Sequence, residues 1–305
     1  RNYICGENGI LKKWLRCGIA GYRLDVADEL PDIFLDDLRK SVKSENENAI
    51  IIGEVWEDAT NKFAYGQRRK YLLGEQLDSV MNYPFADAIL NFVRYANGNA
   101  FFNAVLSIIE NYPPQVLNVL MNHIGTHDTE RAITRLAGEN PDGHDRAWQF
   151  EHNTLSEFDY LKGISMMKIA SLIQFTLPGV PSIYYGDEIG MQGMKDPFNR
   201  ACMPWNKPNE ELLKWYKRLG QIRHSSKAFI DGDFEKLYCD GGVIAYSRSS
   251  EGDNILVAIN NSNEQKRIFV GIQWDNSYSL FDEKSVDGFV NLPPYRYTLL
   301  SKKEY

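Results

Sequence analysis

The stretch Ile50-Ile51-Ile52-Gly53-Glu54 joins three β-branched residues to a glycine and a carboxylate. A short, continuous apolar run of this kind is typical of a strand buried on both faces of a parallel sheet. We therefore expect a strand over residues 50–54, with Glu54 at its carboxyl end. Where parallel strands close into a barrel, their carboxyl ends carry the catalytic residues.

Two other segments place an acid at the expected end of a strand: Gly-Tyr-Arg-Leu-Asp at 21–25 and Gly-Thr-His-Asp at 125–128. Side chains alternate along a strand, so Arg23 and Asp25 lie on one face, and a neighbouring cation favours the ionised carboxylate. Taken singly, Arg23 and Asp25 fit a surface ion pair, and Asp128 fits a helix cap. Their recurrence at successive strand ends favours a glycosidase, which needs separate acids to protonate the leaving oxygen and to stabilise an oxocarbenium-like centre.

Strand and helix candidates alternate along the first 190 residues. Strands are expected at 22–25, 50–54, 79–82, 119–124 and 182–185, and helices at 8–16, 31–43, 86–97, from 129, at 161–177 and at 210–223. This alternation predicts a parallel sheet. Beyond about residue 227, short alternating apolar runs divided by Gly, Asp and Asn predict an antiparallel β-domain. We therefore expect two domains, residues 1–227 and 228–305.

Four stretches, in this order, resemble the α-amylase family of glycoside hydrolases. They are Gly-Tyr-Arg-Leu-Asp-Val-Ala-Asp-Glu at 21–29, Gly-Glu-Val-Trp-Glu-Asp-Ala at 53–59, Gly-Thr-His-Asp-Thr at 125–129 and Gly-Val-Pro-Ser-Ile-Tyr-Tyr-Gly-Asp-Glu at 179–188. The resemblance is closest to the cyclomaltodextrinase, neopullulanase and maltogenic amylase branch, because Glu29 stands where many α-amylases carry histidine. It implies an α/β fold: the last five βα repeats, strands 4–8, of a (β/α)8 TIM barrel, followed by a small antiparallel β-sandwich domain.

The resemblance implies catalytic roles for residues that match the family's motifs. Asp25 would be the nucleophile, Glu54 the acid and then the base, and Asp128 the stabiliser of the transition state. Arg23 and His127 match positions that orient the nucleophile and bind sugar hydroxyls. The implied mechanism is double displacement with retention, in which the two reacting carboxyl groups stand about 5–5.5 Å apart.

Further residues are candidates for substrate binding. Aromatic faces are the usual platforms for sugar rings, so Trp56, Tyr83 and Trp205 are candidates; the alternative for each is core or loop packing. Glu29 is a candidate through the resemblance.

The expected function is a retaining hydrolase of α-1,4-glucosidic linkages in cyclodextrin, pullulan, starch or maltooligosaccharides. One alternative is an α-glucan transglycosylase, in which a sugar rather than water attacks the Asp25 intermediate. The other is a catalytically incomplete carbohydrate-binding remnant.

One motif of the family is missing before residue 21: an Asp four residues ahead of an Asn-His pair. We therefore expect the chain to be the carboxyl-terminal part of a longer enzyme, with little or no activity alone, and expect the amino-terminal half of the barrel as a partner. An incomplete barrel exposes sheet edges that can pair with another chain, so a homodimer is a further expected partner.

Composition points to a cytoplasmic protein with a neutral substrate. The formal charge of −7 leaves no basic surplus for phosphates, so neither nucleic acid nor a membrane is expected as a partner. The four cysteines lack metal-ligand or redox spacing and are expected to be free thiols. No cofactor is expected to be required, and the resemblance alone makes calcium a candidate ligand.

Overall fold

The computed structural model describes residues 1–281 and 285–303. The chain divides into two compact units. The first comprises residues 1–84 and 106–122, and the second comprises residues 85–105 and the described residues from 123 onwards.

The predicted helices are present with differences at their ends, and further helices occur that were not predicted. The α-helices lie at Asn2–Cys5, Ile10–Arg16, Asp32–Glu45, Tyr83–Tyr95, Gly98–Asn111, Pro114–Leu117, Ala132–Ala137, Arg146–Glu151, Glu157–Thr176, Glu210–His224 and Ala228–Asp231. Short 3₁₀ helices lie at Ala27–Glu29, Asp187–Ile189, Phe198–Arg200 and Ile272–Trp274.

The first unit contains a parallel sheet whose strands are Gly21–Leu24, Ile50–Gly53 and Ser79–Val80, in that order. Met81 forms an additional parallel bridge with Met121, in the strand Met121–Asn122. Parallel strands need a crossover connection, and the helix Asp32–Glu45 provides it between the first two. That helix buries Leu35, Leu38 and Val42, which share one face.

The predicted strand at 50–54 is present, and Glu54 is the first residue after it. Ile51 is fully buried, whereas Ile50 and Ile52, which point to the other face, are only partly buried, so the expected burial on both faces is incomplete. A hairpin follows, with strands Phe63–Ala64 and Gln67–Arg68 joined at Tyr65-Gly66. Both turn residues have positive φ, which is the backbone twist that a two-residue hairpin loop favours.

The second unit contains the long helix Glu157–Thr176, which Ser156 caps by accepting a 3.1 Å hydrogen bond from the Asp159 N–H. It also contains a two-residue strand, Val180–Pro181. Sequence had predicted this strand at 182–185. The rings of Tyr184 and Tyr185 both lie over the Arg131 guanidinium, at 4.2 and 4.5 Å, whereas successive side chains of a strand point to opposite faces.

Other expectations also differ from the structure. The strands expected at 79–82 and 119–124 are confined to Ser79–Val80 and Met121–Asn122. The helix expected to open at residues 129–131 begins at Ala132. The helix Gly98–Asn111 was not predicted, although Asn97 directly precedes it and accepts the Ala100 N–H at 3.0 Å, as an N-cap residue does.

The last part of the second unit is an antiparallel β-domain. One sheet has the strand order Ser285–Asp287, Asp275–Ser279, Arg296–Lys303, Asp253–Asn260, Val243–Ser250 and Asp233–Asp240. A second sheet pairs Lys266–Phe269 with Phe289–Leu292. The two sheets share one core, in which Leu256 and Leu300 of the first cluster with Ile268 and Val290 of the second. This is the predicted β-sandwich.

Candidate active site

Three predicted residues, Arg23, Asp25 and Glu54, meet at the carboxyl ends of the first two strands of the parallel sheet. Nη1 of Arg23 lies 2.5 Å from Oδ1 of Asp25, and its Nη2 lies 3.1 Å from Oε2 of Glu54. One guanidinium therefore contacts both carboxylates. Arginine stays protonated in proteins, so both carboxylates face a permanent positive charge.

Glu54 is held on both of its oxygens. The Val26 N–H donates to Oε2 at 2.8 Å, and the Trp56 indole N–H donates to Oε1 at 3.2 Å. The Glu54 side chain is 6% exposed, whereas the side chain of Asp25 is 72% exposed. The two acids thus differ in exposure: Glu54 is enclosed and held by two N–H donors, whereas Asp25 is open to solvent, although Arg23 contacts both.

Val26 has an unusual backbone conformation, with φ 41° and ψ 54°. A β-branched residue rarely adopts this left-handed region, and such strain is concentrated at functional sites. Its side chain is half exposed, so packing of the isopropyl group does not enforce the conformation. The backbone turn instead aims the Val26 N–H at Glu54.

Trp56 and Tyr83 form a stacked pair, with ring centroids 4.1 Å apart and planes 13° apart. Tyr83 is 4% exposed and forms the inner ring, whereas Trp56 is 45% exposed. The pair therefore presents the Trp56 ring to solvent with Tyr83 as its support.

Glu29 accepts a hydrogen bond from the Tyr65 hydroxyl, at the tip of the hairpin. This bond raises the pKa of Tyr65 above its usual value. Tyr65 was not among the predicted site residues. The Tyr65-Gly66 step in the sequence signals a turn, but nothing local indicates which residue the ring will reach.

In the second unit, His127 and Asp128 are adjacent in space as well as in sequence. Nε2 of His127 lies 3.1 Å from Oδ2 of Asp128, and Nη2 of Arg200 lies 3.4 Å from Oδ1. The Thr126 hydroxyl accepts the Asp128 N–H at 3.2 Å. Arg200 was not a predicted site residue. Trp205 lies further along this segment, and its side chain is 81% exposed.

A buried ion pair lies close to Gly125, at the start of the segment that carries His127 and Asp128. Nη1 of Arg131 is 3.6 Å from Oδ1 of Asp187, and both side chains are at most 2% exposed. Burial raises the pKa of Asp187 to about 7, and the nearby Arg131 opposes this. Gly125 permits the close approach, because a Cβ there would stand 2.3 Å from Oδ2 of Asp187.

In residues 1–281 and 285–303, no group of three or more His, Cys, Asp or Glu side chains is arranged to hold a metal ion. The predicted free thiols Cys5, Cys17, Cys202 and Cys239 are confirmed. None of the helices in the described ranges is long and apolar enough to cross a membrane.

Comparison with known proteins identifies the family. Residues 2–212 match the alpha amylase catalytic domain, and residues 232–279 match the alpha-amylase C-terminal domain. The chain belongs to the alpha-amylase family.

Relatives support the predicted branch. The chain is 36% identical over 266 residues to a cyclomaltodextrinase of Thermoanaerobacter pseudethanolicus, a match that covers 86% of this chain and 41% of the relative. It is 32% identical over 271 residues to neopullulanase 2 of Thermoactinomyces vulgaris, a match that covers 86% of this chain and 40% of the relative. The chain thus spans about two-fifths of the length of these relatives.

Solved structures show the same fold. A cyclomaltodextrinase structure superposes with a TM-score of 0.79 at 31% identity. The match covers 96% of this chain and 47% of the cyclomaltodextrinase chain. A debranching enzyme from Nostoc punctiforme superposes with a TM-score of 0.79 at 26% identity. This match covers 99% of our chain and 61% of the debranching enzyme. The predicted fold class is confirmed: the last part of a TIM barrel followed by an antiparallel β-domain. The domain limits at 227 and 228 stay predictions.

Proposed function

We propose that this chain carries the reacting carboxylates of a retaining α-glucan hydrolase that cleaves α-1,4-glucosidic linkages. The observation that carries the proposal is the Arg23 guanidinium in contact with both Asp25 and Glu54. Retaining glycosidases use two neighbouring carboxyl groups, one as nucleophile and one as acid and base.

In the proposed first step, a carboxylate oxygen of Asp25 attacks the anomeric carbon. The bond from that carbon to the glycosidic oxygen breaks, and its electron pair takes the proton of the Glu54 carboxyl group. In the second step the Glu54 carboxylate removes a proton from water, whose oxygen displaces Asp25. Two inversions at one carbon give net retention.

The different surroundings of the two acids support this division of roles. Asp25 is exposed, as a nucleophile that must reach the anomeric carbon has to be, and it touches the Arg23 guanidinium. Glu54 is enclosed, and two N–H donors fix the orientation of its carboxyl group, which positioned proton transfer requires. Asp128 is proposed to stabilise the transition state through its match to the family motif, with His127 as a donor to sugar hydroxyls.

The proposed substrates are α-glucans, because the relatives are named cyclomaltodextrinase and neopullulanase. Trp56 is proposed as a platform for a sugar ring, with Tyr83 supporting it, and Trp205 as a second platform. Glu29, oriented by Tyr65, is proposed to accept hydrogen bonds from sugar hydroxyls.

The test is reducing-sugar release from β-cyclodextrin, pullulan and soluble starch. Two forms are compared: the 305-residue chain, and a chimera in which the chain replaces the matching region of the Thermoanaerobacter pseudethanolicus cyclomaltodextrinase. Because the chain spans about two-fifths of that relative, we expect turnover mainly from the chimera. Glu54→Gln keeps the size of the side chain and removes the proton, so it should lower the rate at least 100-fold.

A rate unchanged by Glu54→Gln would contradict the proposal. Product analysis separates the two reactions: free sugars indicate hydrolysis, and longer oligosaccharides indicate transglycosylation.

A further inference from the structure

The loop that carries Asp128 has few backbone partners of its own. It leads from Gly125 to the helix that begins at Ala132. Within the loop, the Thr126 hydroxyl accepts the Asp128 N–H at 3.2 Å, and the Thr129 hydroxyl accepts the Thr126 N–H at 3.4 Å. In both bonds the backbone group is an N–H. The carbonyls of His127 and Thr129, on either side of Asp128, therefore need hydrogen-bond donors from outside the loop.

Asn199 supplies those partners. Its carboxamide nitrogen donates to the His127 carbonyl and to the Thr129 carbonyl, both at 2.7 Å. The two acceptors flank Asp128 directly. Asn199 is fully buried, so water does not compete for these bonds.

The segment that carries Asn199, Phe198–Arg200, is itself tied to the rest of the second unit. The Tyr184 hydroxyl donates to the Asn199 carbonyl at 3.4 Å, and the Tyr185 hydroxyl donates to the Ala201 carbonyl at 2.8 Å. The chain also passes close to Gly193, where a Cβ would lie 2.5 Å from the Phe198 carbonyl oxygen. Asn199 therefore joins the loop to a well-supported backbone.

We propose that Asn199 is a positioning residue for Asp128: its carboxamide fixes the backbone on both sides of this acid and so sets the direction of the carboxylate. The same segment aligns Arg200, whose Nη2 lies 3.4 Å from Oδ1 of Asp128. The inference rests on the proposed function, since it assigns Asn199 a part in the work of Asp128. Asparagine suits the position because its carboxamide nitrogen carries two N–H bonds that point in different directions, one for each carbonyl.

Two variants and one control test this inference. Asn199→Ala removes both donors, and Asn199→Asp keeps the size but offers acceptors to two carbonyls. Asn261→Ala is the matched control, because Asn261 is also buried and donates to the Phe92 and Val93 carbonyls at 2.9 and 3.0 Å. Each change is made in the 305-residue chain and in the chimera described above.

In whichever form turns over, both Asn199 variants should lower kcat at least 10-fold with KM changed less than 3-fold. Asn261→Ala should keep kcat within 2-fold of the unaltered protein, even if it lowers the melting temperature as much as the Asn199 variants do. A merely structural role would give the same kcat pattern for all three variants, and that result would overturn the inference.

Hydrogen exchange in the 305-residue chain gives a second readout that needs no activity. The amides of Thr126 and Asp128, which donate to hydroxyls within the loop, should exchange at least 10-fold faster in Asn199→Ala than in Asn261→Ala. Unchanged exchange at these amides would overturn the inference. Failure of the proposed function would look different, because the unaltered chimera would then release no sugar from any α-glucan.

Discussion

The backbone N–H of Val26 donates a 2.8 Å hydrogen bond to Oε2 of Glu54 from a left-handed conformation. The strained residue directly follows Asp25, the proposed nucleophile, and its amide is directed at the proposed acid. The turn that ends the first strand thus couples the two carboxylates through the backbone, in addition to the Arg23 guanidinium that contacts both.

Val26→Asn should stabilise the protein by about 1 kcal/mol, because asparagine tolerates the left-handed region that a β-branched residue avoids. The N–H remains, so kcat should stay within about 3-fold. Urea unfolding measures the free energy. Ile33→Asn, at an exposed helical position of ordinary φ, is the control and should not stabilise. A Val26→Asn variant less stable than the original would show that the side chain contributes more than the strain.

Arg23→Lys should lower kcat about 10- to 100-fold. A lysine ammonium is a point charge and cannot reach two carboxylates with the geometry of the guanidinium fork. Arg39→Lys is the control, since Arg39 pairs with Asp78 at the start of the sheet, away from the site. Steady-state kinetics on the active form gives the comparison, and equal kcat for both variants would argue against a role for Arg23 at Asp25 and Glu54.

Trp56→Ala should raise KM about 10-fold, because it removes the exposed face of the stacked pair that we propose as a sugar platform. It also removes the indole N–H that donates to Glu54, so kcat should fall as well. Trp56→Phe keeps most of the platform and removes only the donor, which separates the two effects. Trp14→Ala, at an exposed helical position, is the control and should leave KM unchanged.

Asp187 should make stability fall as pH rises from about 4 to about 7. Burial raises its pKa to about 7 in the folded protein, whereas an unfolded aspartate titrates near 4. Between these values the folded state binds more protons, so raising the pH favours unfolding. Compared with the unaltered protein, Asp187→Asn should therefore lose less stability over this range, as measured by urea midpoints. An identical pH dependence would contradict this assignment.

His123 should act with the opposite sign. Burial, with a smaller effect of Arg135, lowers the pKa of His123 to about 3. An unfolded histidine titrates near 6.5, so the unfolded state binds more protons between about pH 3 and 6.5, and this group makes stability rise with pH. His123→Gln should flatten that rise, and a steeper rise in this variant would refute it.

Local sequence predicted the elements that carry the proposed acids. The β-branched run before Gly53 predicts a strand by itself, and alternation along residues 21–25 places Arg23 beside Asp25. Strand ends were less predictable. The tyrosines after Pro181 read as a strand, but they stack on Arg131, which is distant in sequence.

The supports of the site were beyond sequence reasoning for a physical reason. Asn199 reaches the His127 carbonyl across 72 residues, and Tyr65 reaches Glu29 across 36. Such contacts depend on how loops from different repeats meet, and no local periodicity encodes that meeting. The left-handed turn at Val26 was equally hidden, because valine is among the residues least expected there.

The most direct test of the central claim is to trap the glycosyl group on Asp25. The active form of Glu54→Gln is treated with α-maltosyl fluoride, quenched, digested and examined by mass spectrometry. Fluoride leaves without a proton from an acid, so the first step proceeds, while the second step lacks its base and the intermediate accumulates. We predict a maltosyl mass increase on the peptide that contains Asp25, absent when Asp25→Asn is added. Fluoride release without any label on Asp25, or a label on another residue, would contradict the proposed mechanism.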